Sequence, residues 1–406
     1  MARTLAELPK GARITDFISL GVIAKQFPVS KIHEILEREG RQSVRQRRLP
    51  AHVVVYYVIA LALYMQVSYG EVLRCLVEGL EWMGLPVKQL RRTGKSGISQ
   101  ARTRVGAEPL RALYEELVGL ISCQETKGAR FRDWRLVSLD GSTLDLADTR
   151  VNADEFGRPG ASRGRSGFPQ LRFVSLVENG THVLFGAEMG SYATAETTLA
   201  RRTLGRLESG MLCLADRNYF SYDCWKEARK TGADLLWRVK KNLRLPCLER
   251  LADGSYLSRI YASDKDRRHD HRPLEVRVVE YRLEGVPDSE SRYRLITTIL
   301  AAERAPAEEL AALYPERWEI ETAFDELKTH LRGRRIVLRS KKPDLVRQEF
   351  YGLLLAHYAV RALMHEAALR DDVDPDELSF THSVRVVRRK LPLFVSIPPS
   401  GEGATS

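Results

Sequence analysis

Apolar residues recur at helical spacing through most of the first 125 residues. The segments that show this spacing are Ile14–Glu39, Pro50–Met65, Tyr69–Trp82, Ser96–Val105 and Pro109–Ile121. No alternation of apolar and polar residues separates them, so strands are not indicated here. The pattern predicts helices joined by short turns over residues 13–125.

The pattern changes at Arg135, where short runs of apolar and β-branched residues replace the helical spacing. Such runs predict strands, with two helical stretches among them. The predicted strands are Leu136–Asp140, Leu171–Val177, His182–Ala187, Met211–Asp216 and Asp234–Val239, and the predicted helices are Ala195–Glu208 and Phe220–Thr231. Three hairpin-linked strands, a helix, a strand, a helix and a strand is the element order of a ribonuclease-H-like α/β fold. In that fold the first and fourth strands are neighbours, and here they are predicted to end at Asp140 and Asp216.

Strand-like alternation returns between residues 240 and 302, notably over Glu275–Leu283 and Tyr293–Leu300. Turn sequences interrupt it, so this segment is predicted to be β-rich. An apolar helix is predicted over Gln348–Leu369. Pro392–Ser406 is rich in Pro, Ser and Gly and is predicted to be a disordered tail.

Tyr314–Lys328 contains few helix breakers and is predicted to form one helix. At about 100° per residue, a polar stripe no more than about 60° wide forms on this helix. Its members are Tyr314, Arg317, Glu321 and Lys328. A neighbouring apolar stripe, suited to packing on a sheet, consists of Ile320, Phe324, Leu327 and Leu331. Trp318 is off this stripe, and packing is favoured over base stacking for it. Taken alone, the polar residues also fit ordinary surface pairs one helical turn apart.

The composition describes a basic globular protein. The 406 residues are 44% hydrophobic and 29% charged and carry a formal charge of +11, which favours a polyanionic partner such as nucleic acid. The longest apolar run, Val53–Met65, is shorter than the roughly 20 residues of a membrane-spanning helix. Five cysteines without a Cys-x-x-Cys pair and no signal peptide predict a reduced, cytoplasmic and nucleoid-associated protein with no membrane partner.

Two basic regions are candidate DNA contacts. The first combines a basic run with a short helix that Ser96 is predicted to cap, and its candidate residues are Arg45, Arg47, Arg48, Gln100, Arg102 and Arg104. The second follows Lys328 and begins with Arg332, Arg334 and Arg335. The alternative for such residues is a solvated basic surface. His269 and His271 flank Asp270, but without further ligands they predict a solvated turn more than a metal site.

Within Tyr314–Lys328, two residues separate Tyr from Arg, three separate Arg from Glu, and six separate Glu from Lys. This spacing resembles the Tyr-Arg-Glu-Lys signature of bacterial insertion-sequence transposases with an Asp-Asp-Glu (DDE) triad. Asp140 in Leu-Asp-Gly-Ser-Thr and Asp216 in Leu-Ala-Asp-Arg-Asn-Tyr-Phe are similar to the contexts of that family's two aspartates. Each aspartate alone fits a turn or a helix cap. The resemblance implies that Asp140, Asp216 and Glu321 are the catalytic residues and metal ligands.

The resemblance also implies a domain plan: a ribonuclease-H-like core with a β-rich insertion and an N-terminal all-α domain. The predicted divisions are an N-terminal DNA-binding domain (1–125), the first part of the core (126–240), the insertion (241–304), the second part of the core with the Glu321 helix (305–370) and a C-terminal segment (371–406).

The implied chemistry is hydrolysis of DNA with two Mg²⁺ ions, for which Mn²⁺ is a substitute. Asp140 is predicted to bridge the ions, and Asp216 and Glu321 to hold one each, because Mg²⁺ prefers carboxylate oxygens. Tyr314, Arg317 and Lys328 are predicted to contact DNA phosphates. Tyr293 is the candidate for stacking on an extruded base, with Tyr281 as the alternative.

The predicted function is transposition: the protein binds the ends of its own insertion sequence, cleaves them and joins the freed 3′-OH ends to target DNA. The resemblance suggests a DNA hairpin intermediate and a homodimer that pairs two ends of the double-stranded element. The alternatives are a structure-specific Mg²⁺-dependent nuclease of the same fold, a retained DNA-binding protein without transposition and, more remotely, a hydrolase of small phosphate esters.

Overall fold

Helices account for the first part of the chain. The computed structural model describes residues 20–43, 49–82, 93–161, 164–165, 167–282, 292–333 and 336–389. Among the described residues up to 119, the helices are α1 (Leu20–Gln26), α2 (Val29–Arg38), α3 (Ala51–Leu63), α4 (Tyr69–Trp82), α5 (Lys95–Val105) and α6 (Glu108–Leu117). The predicted segment Ile14–Glu39 is described from Leu20 onward, and this part divides between α1 and α2, because Pro28 precedes α2 and has no backbone N–H to continue α1. Residues 14–19 lie outside the described residues. The helix α5 begins one residue before Ser96, after Gly94.

Strands begin after residue 129 and lie close to their predicted positions. They are β1 (Arg130–Phe131), β2 (Trp134–Asp145), β3 (Gly160–Ala161), β4 (Gly164–Arg165), β5 (Gln170–Glu178), β6 (Val183–Ser191), β7 (Met211–Ala215), β8 (Asp234–Arg238), β9 (Glu249–Arg250), β10 (Tyr256–Ile260), β11 (Leu274–Tyr281) and β12 (Tyr293–Thr297).

Helices connect these strands and follow the last of them. They are α7 (Arg150–Phe156), α8 (Glu196–Thr203), α9 (Tyr222–Lys230), α10 (Asp264–Arg268), α11 (Ala307–Leu313), α12 (Glu319–Asp325), α13 (Pro343–Asp371) and α14 (Phe380–Arg389).

The described strands form one large mixed sheet of ten strands, with β3 and β4 forming a separate pair. The strand order is β6-β5-β2-β7-β8-β12-β11-β10-β9, and β1 pairs with β2. The pairs β2–β7 and β7–β8 are parallel, while β2–β5 and β5–β6 are antiparallel. Three antiparallel strands followed by two parallel ones, with the first and fourth adjacent, is the predicted ribonuclease-H-like arrangement.

The β-rich segment between residues 240 and 302 extends this sheet. β12 pairs antiparallel with β8, opposing Leu295 to Arg238 and Thr297 to Leu236. β11, β10 and β9 then continue outward from β12. The segment is inserted in the chain as predicted, but its backbone hydrogen bonds are continuous with those of the core.

The chain divides into two compact units, which differ from the predicted five-part division. The helical unit takes its residues from Met1–Gly119, Glu326–Arg370 and Glu377–Ser406, and the sheet unit from Leu120–Asp325 and Asp371–Asp376. In the helical unit α3 is buried on nearly every side and packs against α2, α4 and α5. No helix in the described ranges has the length and apolar character needed to cross a membrane.

The segment Tyr314–Lys328 is helical throughout but is not one regular α-helix. Tyr314–Trp318 is a 3₁₀-helix, α12 follows, and Glu326–Leu331 is a π-helix. These turns rotate successive residues by angles other than 100°, so the predicted polar stripe is not preserved.

Candidate active site

Asp140 and Asp216 come from adjacent parallel strands. The pairing of β2 with β7 ends at Leu139 and Ala215. Asp140 and Asp216 are the next residues in sequence, so both carboxylates lie at the same end of the two paired strands. Open α/β sheets bind ligands at this end. β2 was predicted to end at Asp140, but it continues beside β5 to Asp145.

Glu321 is supplied by α12, which packs against β2 and β5. Ile320 of this helix is fully buried. Phe324 meets Phe173 of β5 edge to face, with ring centroids 5.2 Å apart. These apolar contacts fix the helix on the sheet, while the Glu321 side chain remains 46% exposed. Glu321 is therefore accessible to a ligand.

Arg317 connects the strand carboxylate to the helix carboxylate. Its Nη1 lies 3.3 Å from Asp140 Oδ2, and its Nη2 lies 3.4 Å from Glu321 Oε1. Burial disfavours the charged guanidinium, but Tyr314 and the carboxylates of Asp140, Asp216 and Glu321 raise the pKa of Arg317 above its usual value. The structure therefore brings Asp140 and Glu321 together through a shared cation, within the electrostatic range of Asp216.

Asp140 is held by a second group that the sequence analysis missed. The Tyr219 hydroxyl donates to Asp140 Oδ1 at 3.1 Å, and the Gly141 N–H donates to the same oxygen at 2.7 Å. Tyr219 is buried, and a Cβ at Gly141 would lie 2.9 Å from its hydroxyl oxygen. Burial raises the pKa of Asp140 despite these donors and Arg317, and the negative charge of Glu321 raises it further.

Arg238, also missed, lies beside Asp216 at the end of β8. Its Nη1 is 4.0 Å from Asp216 Oδ1, and its guanidinium carbon is 4.7 Å from the centroid of the Tyr293 ring. Tyr293 in turn stacks on Tyr281, with centroids 5.3 Å apart and an interplanar angle of 19°. The two candidate stacking residues therefore form one aromatic pair that Arg238 links to the acidic site.

The donor set fits the predicted Mg²⁺. Asp140, Asp216 and Glu321 offer carboxylate oxygens, the ligands that Mg²⁺ prefers. Asp140 is a half-buried carboxylate whose pKa is raised, and Glu321 adds like charge to it. A divalent cation among these oxygens favours their ionised forms, since it offsets both burial and mutual repulsion.

Comparisons with known proteins show the family of this chain. A family model described as "Transposase DDE domain" matches residues 133–359, and one described as "Insertion element 4 transposase N-terminal" matches residues 17–115. The "Transposase InsG for insertion sequence element IS4" of Escherichia coli (strain K12) is 30% identical over 363 residues, which cover 89% of this chain and 80% of the relative. The chain belongs to the IS4 family of DDE transposases.

More distant relatives carry related names. The "Putative transposase InsZ" of Escherichia coli (strain K12) is 25% identical over 239 residues, covering 57% of this chain and 75% of the relative. A cryo-EM structure of the piggyBac transposase synaptic complex with hairpin DNA is 11% identical, with a TM-score of 0.47 over 97% of this chain and 88% of that one. The fold assignment rests on the strand order and on the family, not on this likeness.

Two aromatic residues near the three candidate carboxylates differ from prediction. Tyr314 is buried, and its hydroxyl donates to the Ala215 carbonyl at 3.2 Å, so it is not placed to bond a phosphate as predicted. It packs with Leu310 and Ala305 in the core beneath the sheet. Trp318, predicted to pack, is instead 58% exposed. The 3₁₀ geometry of Tyr314–Trp318 explains the error for Tyr314, because the wheel assumed α-helical rotation. The exposure of Trp318 agrees with its position off the apolar stripe and contradicts only the preference for packing.

Arg102 of the transposase is a correction to the predicted N-terminal DNA contacts. It is buried, and its guanidinium donates to Gln348 Oε1 at 2.8 Å and to Ser340 Oγ at 3.0 Å. These bonds tie α5 to α13 within the helical unit, so Arg102 is structural. Gln100 and Arg104 on the same helix are exposed and stay candidates. Arg45, Arg47 and Arg48 lie outside the described residues.

The C-terminal basic candidates also separate by burial. Arg332 is 7% exposed and its Nε donates to the Lys328 carbonyl at 3.3 Å, so its side chain is buried and is not the exposed DNA contact that was predicted. Lys328 is half-buried in the π-helix of that unit, and its approach to the carboxylates stays a prediction. Arg334, Arg335 and the predicted disordered tail lie outside the described residues.

Proposed function

We propose that this transposase cleaves the ends of its own insertion sequence at Asp140, Asp216 and Glu321 and joins the freed 3′ ends to target DNA. In cleavage, a water oxygen bonds to phosphorus while the bond between phosphorus and the 3′ oxygen breaks. In joining, the freed 3′ oxygen bonds to a phosphorus of the target strand and gives up its proton, while the bond between that phosphorus and the target's own 3′ oxygen breaks and leaves a new 3′-OH on the target. The observation that carries the proposal is the position of Arg317, which holds Asp140 and Glu321 together beside the strand end that bears Asp216.

The three carboxylates are the proposed ligands of two Mg²⁺ ions, or Mn²⁺ in their place, which when bound activate the attacking water and neutralise the departing 3′ oxygen. The protein's own contribution is positioning. Apolar packing of α12 sets the place of Glu321, and the strand pairing sets that of Asp140 and Asp216. Fixed positions of this kind reduce the entropy that the reaction must lose.

Arg317 is proposed to orient the phosphate at the cut. Its contacts of 3.3 and 3.4 Å are long for charge-assisted hydrogen bonds. A phosphate oxygen can therefore accept a hydrogen bond from the Arg317 guanidinium without displacing a short, strong bond to either carboxylate. Lys328, the last residue of the Tyr-Arg-Glu-Lys spacing, is proposed to neutralise a nearby phosphate as a compact charge.

The aromatic pair is the proposed site for an unstacked base. Tyr293 lies on Tyr281 and under Arg238, an arrangement that joins π surfaces to a cation. The net charge of +11, with Gln100 and Arg104 exposed on α5, supports binding of double-stranded DNA. Pairing of two ends by a homodimer is proposed from the family resemblance.

The deciding experiment incubates the protein with labelled element-end DNA, target DNA and Mg²⁺. The parent is expected to give cleaved and joined products, and Asp140→Asn to bind the DNA without cutting it. Asp145→Asn is the matched control, because Asp145 lies on the same strand but accepts a hydrogen bond from Gln170 at 2.8 Å.

Other outcomes separate the alternatives. Cleavage by Asp140→Asn at the parent rate removes Asp140 from the mechanism. Cleavage without joining favours a structure-specific nuclease. Binding without cleavage by the parent, with either Mg²⁺ or Mn²⁺, favours a DNA-binding protein that has lost the reaction.

A further inference from the structure

A second group of ligand-bearing side chains lies in the sheet unit apart from the acidic triad. His182 stands in the turn between β5 and β6, Glu319 is the first residue of α12, and Asp376 lies in the 3₁₀-helix Pro375–Glu377. The His182 Nε2 is 3.1 Å from Asp376 Oδ1 and 3.7 Å from Glu319 Oε2. One ring nitrogen and two carboxylate oxygens thus lie within 4.8 Å of one another.

This group is distinct from the proposed active site. Glu319 and Glu321 are two residues apart, and two α-helical residues rotate the side chain by about 200°. The Glu319 carboxylate accepts a hydrogen bond from the Gly180 N–H, whereas Glu321 meets Arg317. The side chains of Glu319 and Glu321 therefore project from different sides of α12.

We propose that His182, Glu319 and Asp376 bind one divalent transition-metal cation, with Zn²⁺ as the representative ion. An imidazole with two carboxylates is a donor set that such ions accept. Metal–ligand bonds of about 2.0 to 2.2 Å in a tetrahedron place neighbouring ligand atoms about 3.3 to 3.6 Å apart. The distances of 3.1 and 3.7 Å bracket that range.

Burial and the surrounding bonds support a built site. The His182 side chain is 3% exposed and that of Glu319 is 12% exposed, while that of Asp376 is 36% exposed. The third ligand therefore leaves an opening through which an ion and a water ligand can enter. The Gly180 N–H fixes the Glu319 carboxylate, as outer hydrogen bonds commonly fix metal ligands.

A histidine elsewhere in the chain shows what an ordinary surface pair looks like. His271 Nδ1 lies 3.1 Å from Asp266 Oδ1, the same separation as in the His182–Asp376 pair. Its side chain is 56% exposed. His271 belongs to the His-Asp-His motif that the sequence analysis interpreted as a solvated turn, and it provides a matched control.

The cation is inferred to be structural. It would join three stretches far apart in sequence: the β5–β6 turn, the start of the Glu321 helix and the segment that follows α13. A ligand that binds only the folded state stabilises it. The expected result of loading is therefore a higher melting temperature, independent of DNA cleavage.

The test uses the full chain carrying Asp140→Asn and Glu321→Gln, so that the triad does not dominate binding. After chelation and dialysis, Zn²⁺ is added, and bound metal is measured by atomic absorption together with the melting temperature. One tightly bound Zn²⁺ per chain and a raised melting temperature are expected. His182→Gln should lose both effects, and His271→Gln should lose neither.

A second variant protects the test against misfolding. Asp376→Asn alters the most exposed ligand and should leave the metal-free melting temperature unchanged while weakening Zn²⁺ binding by about tenfold or more. Co²⁺ gives an independent readout, because the intensity of its visible absorption reports the coordination number. Equal Zn²⁺ binding by the parent, His182→Gln and Asp376→Asn overturns the proposal. That outcome leaves the cleavage proposal untouched, since the two sites are assayed separately.

Discussion

Two buried arginines, one in each unit, differ in the partners of their guanidinium groups and in the distances to them. Arg102 in the helical unit donates to neutral acceptors, Gln348 Oε1 at 2.8 Å and the Leu345 carbonyl at 3.1 Å. Arg317 in the sheet unit meets two carboxylates at 3.3 and 3.4 Å. Arg102 is bonded tightly inside its unit, whereas Arg317 is shared loosely between groups that can take another partner.

The contrast extends to one glutamate of each unit. In the helical unit Glu326 Oε2 lies 3.0 Å from Arg361 Nε and 3.1 Å from His357 Nε2, and all three side chains are buried. In the sheet unit the Glu321 side chain is 46% exposed. We call a network closed when its charged side chains are buried and paired with one another, and open when one of its carboxylates is exposed. A closed network stabilises one packing arrangement, whereas an open network can bind a ligand. The predictions below test this division, from the largest expected effect to the smallest.

Glu321→Gln is expected to reduce cleavage of element-end DNA by about a thousandfold or more, equivalent to about 4 kcal/mol of activation free energy. The amide keeps one acceptor oxygen but loses the charge that holds a metal ion. Single-turnover cleavage with Mg²⁺ measures the effect. Asp325→Asn, at an exposed position of the same helix, is the control and should cleave like the parent. An active Glu321→Gln variant would contradict the assignment of the open network to chemistry.

Arg102→Ala is expected to lower the free energy of unfolding of the helical unit by about 3 kcal/mol, because it leaves buried acceptors unsatisfied and a cavity. Denaturant unfolding followed by circular dichroism measures this loss. Arg104→Ala, on the exposed side of the same helix, should change stability by less than about 0.5 kcal/mol and weaken DNA binding instead. The comparison fails if Arg102→Ala weakens DNA binding without loss of stability.

Arg317→Lys is expected to slow cleavage by about 10- to 100-fold with little change in melting temperature. An ammonium keeps the charge but does not reproduce the planar fork that spans Asp140 and Glu321. Cleavage rates at saturating DNA separate this loss from weaker binding. Full activity in the lysine variant would show that charge alone suffices at this position.

His52 in the helical unit gives a pH dependence that belongs to folding. Burial, followed by the charge of His33, lowers the pKa of His52 from 6.5 to about 4. The unfolded chain therefore binds a proton between these values that the folded chain does not, and stability falls as the pH drops from 6.5 to 4. The loss is about 1 to 2 kcal/mol after allowing for solvent screening.

His52→Gln should remove that part of the pH dependence, which amide hydrogen exchange in α3 would measure at pH 6.5 and pH 5. His33→Gln removes only the smaller, electrostatic cause and should retain most of the slope. An unchanged slope in His52→Gln would assign the acid sensitivity to other groups.

The strands and the adjacent positions of Asp140 and Asp216 could be predicted because their signals are local. The runs around Asp140 and Asp216 contain apolar, β-branched residues that favour buried strands, and the strand order then places the two aspartates side by side. Glu321 follows from the spacing of residues within one short segment. The predicted wheel identified Ile320 and Phe324 as the packing face, and both are buried.

The errors arose where distant residues decide the outcome. Arg102 resembles any other arginine of a basic helix until Gln348 and Ser340, more than 200 residues away, are known to bond it. Tyr314 was misplaced because the chain leaves α-helical geometry, which sequence periodicity does not reveal. Arg238 had no motif of its own, since its proximity to Asp216 follows from the pairing of β7 with β8.

Tyr219→Phe gives the finest test of the open network. The change removes the hydroxyl that donates to Asp140 Oδ1 at 3.1 Å and should reduce cleavage by about 3- to 10-fold, equivalent to about 1 kcal/mol. Without this donor the pKa of Asp140, already raised by burial, rises further. The acidic limb of the cleavage rate should therefore move to higher pH. Tyr222→Phe, which loses an exposed bond to the Arg272 carbonyl at 2.7 Å, is the control and should move neither rate nor profile. If the rate falls equally at every pH and the pH profile does not shift, Tyr219 acts through packing and not through the ionisation of Asp140.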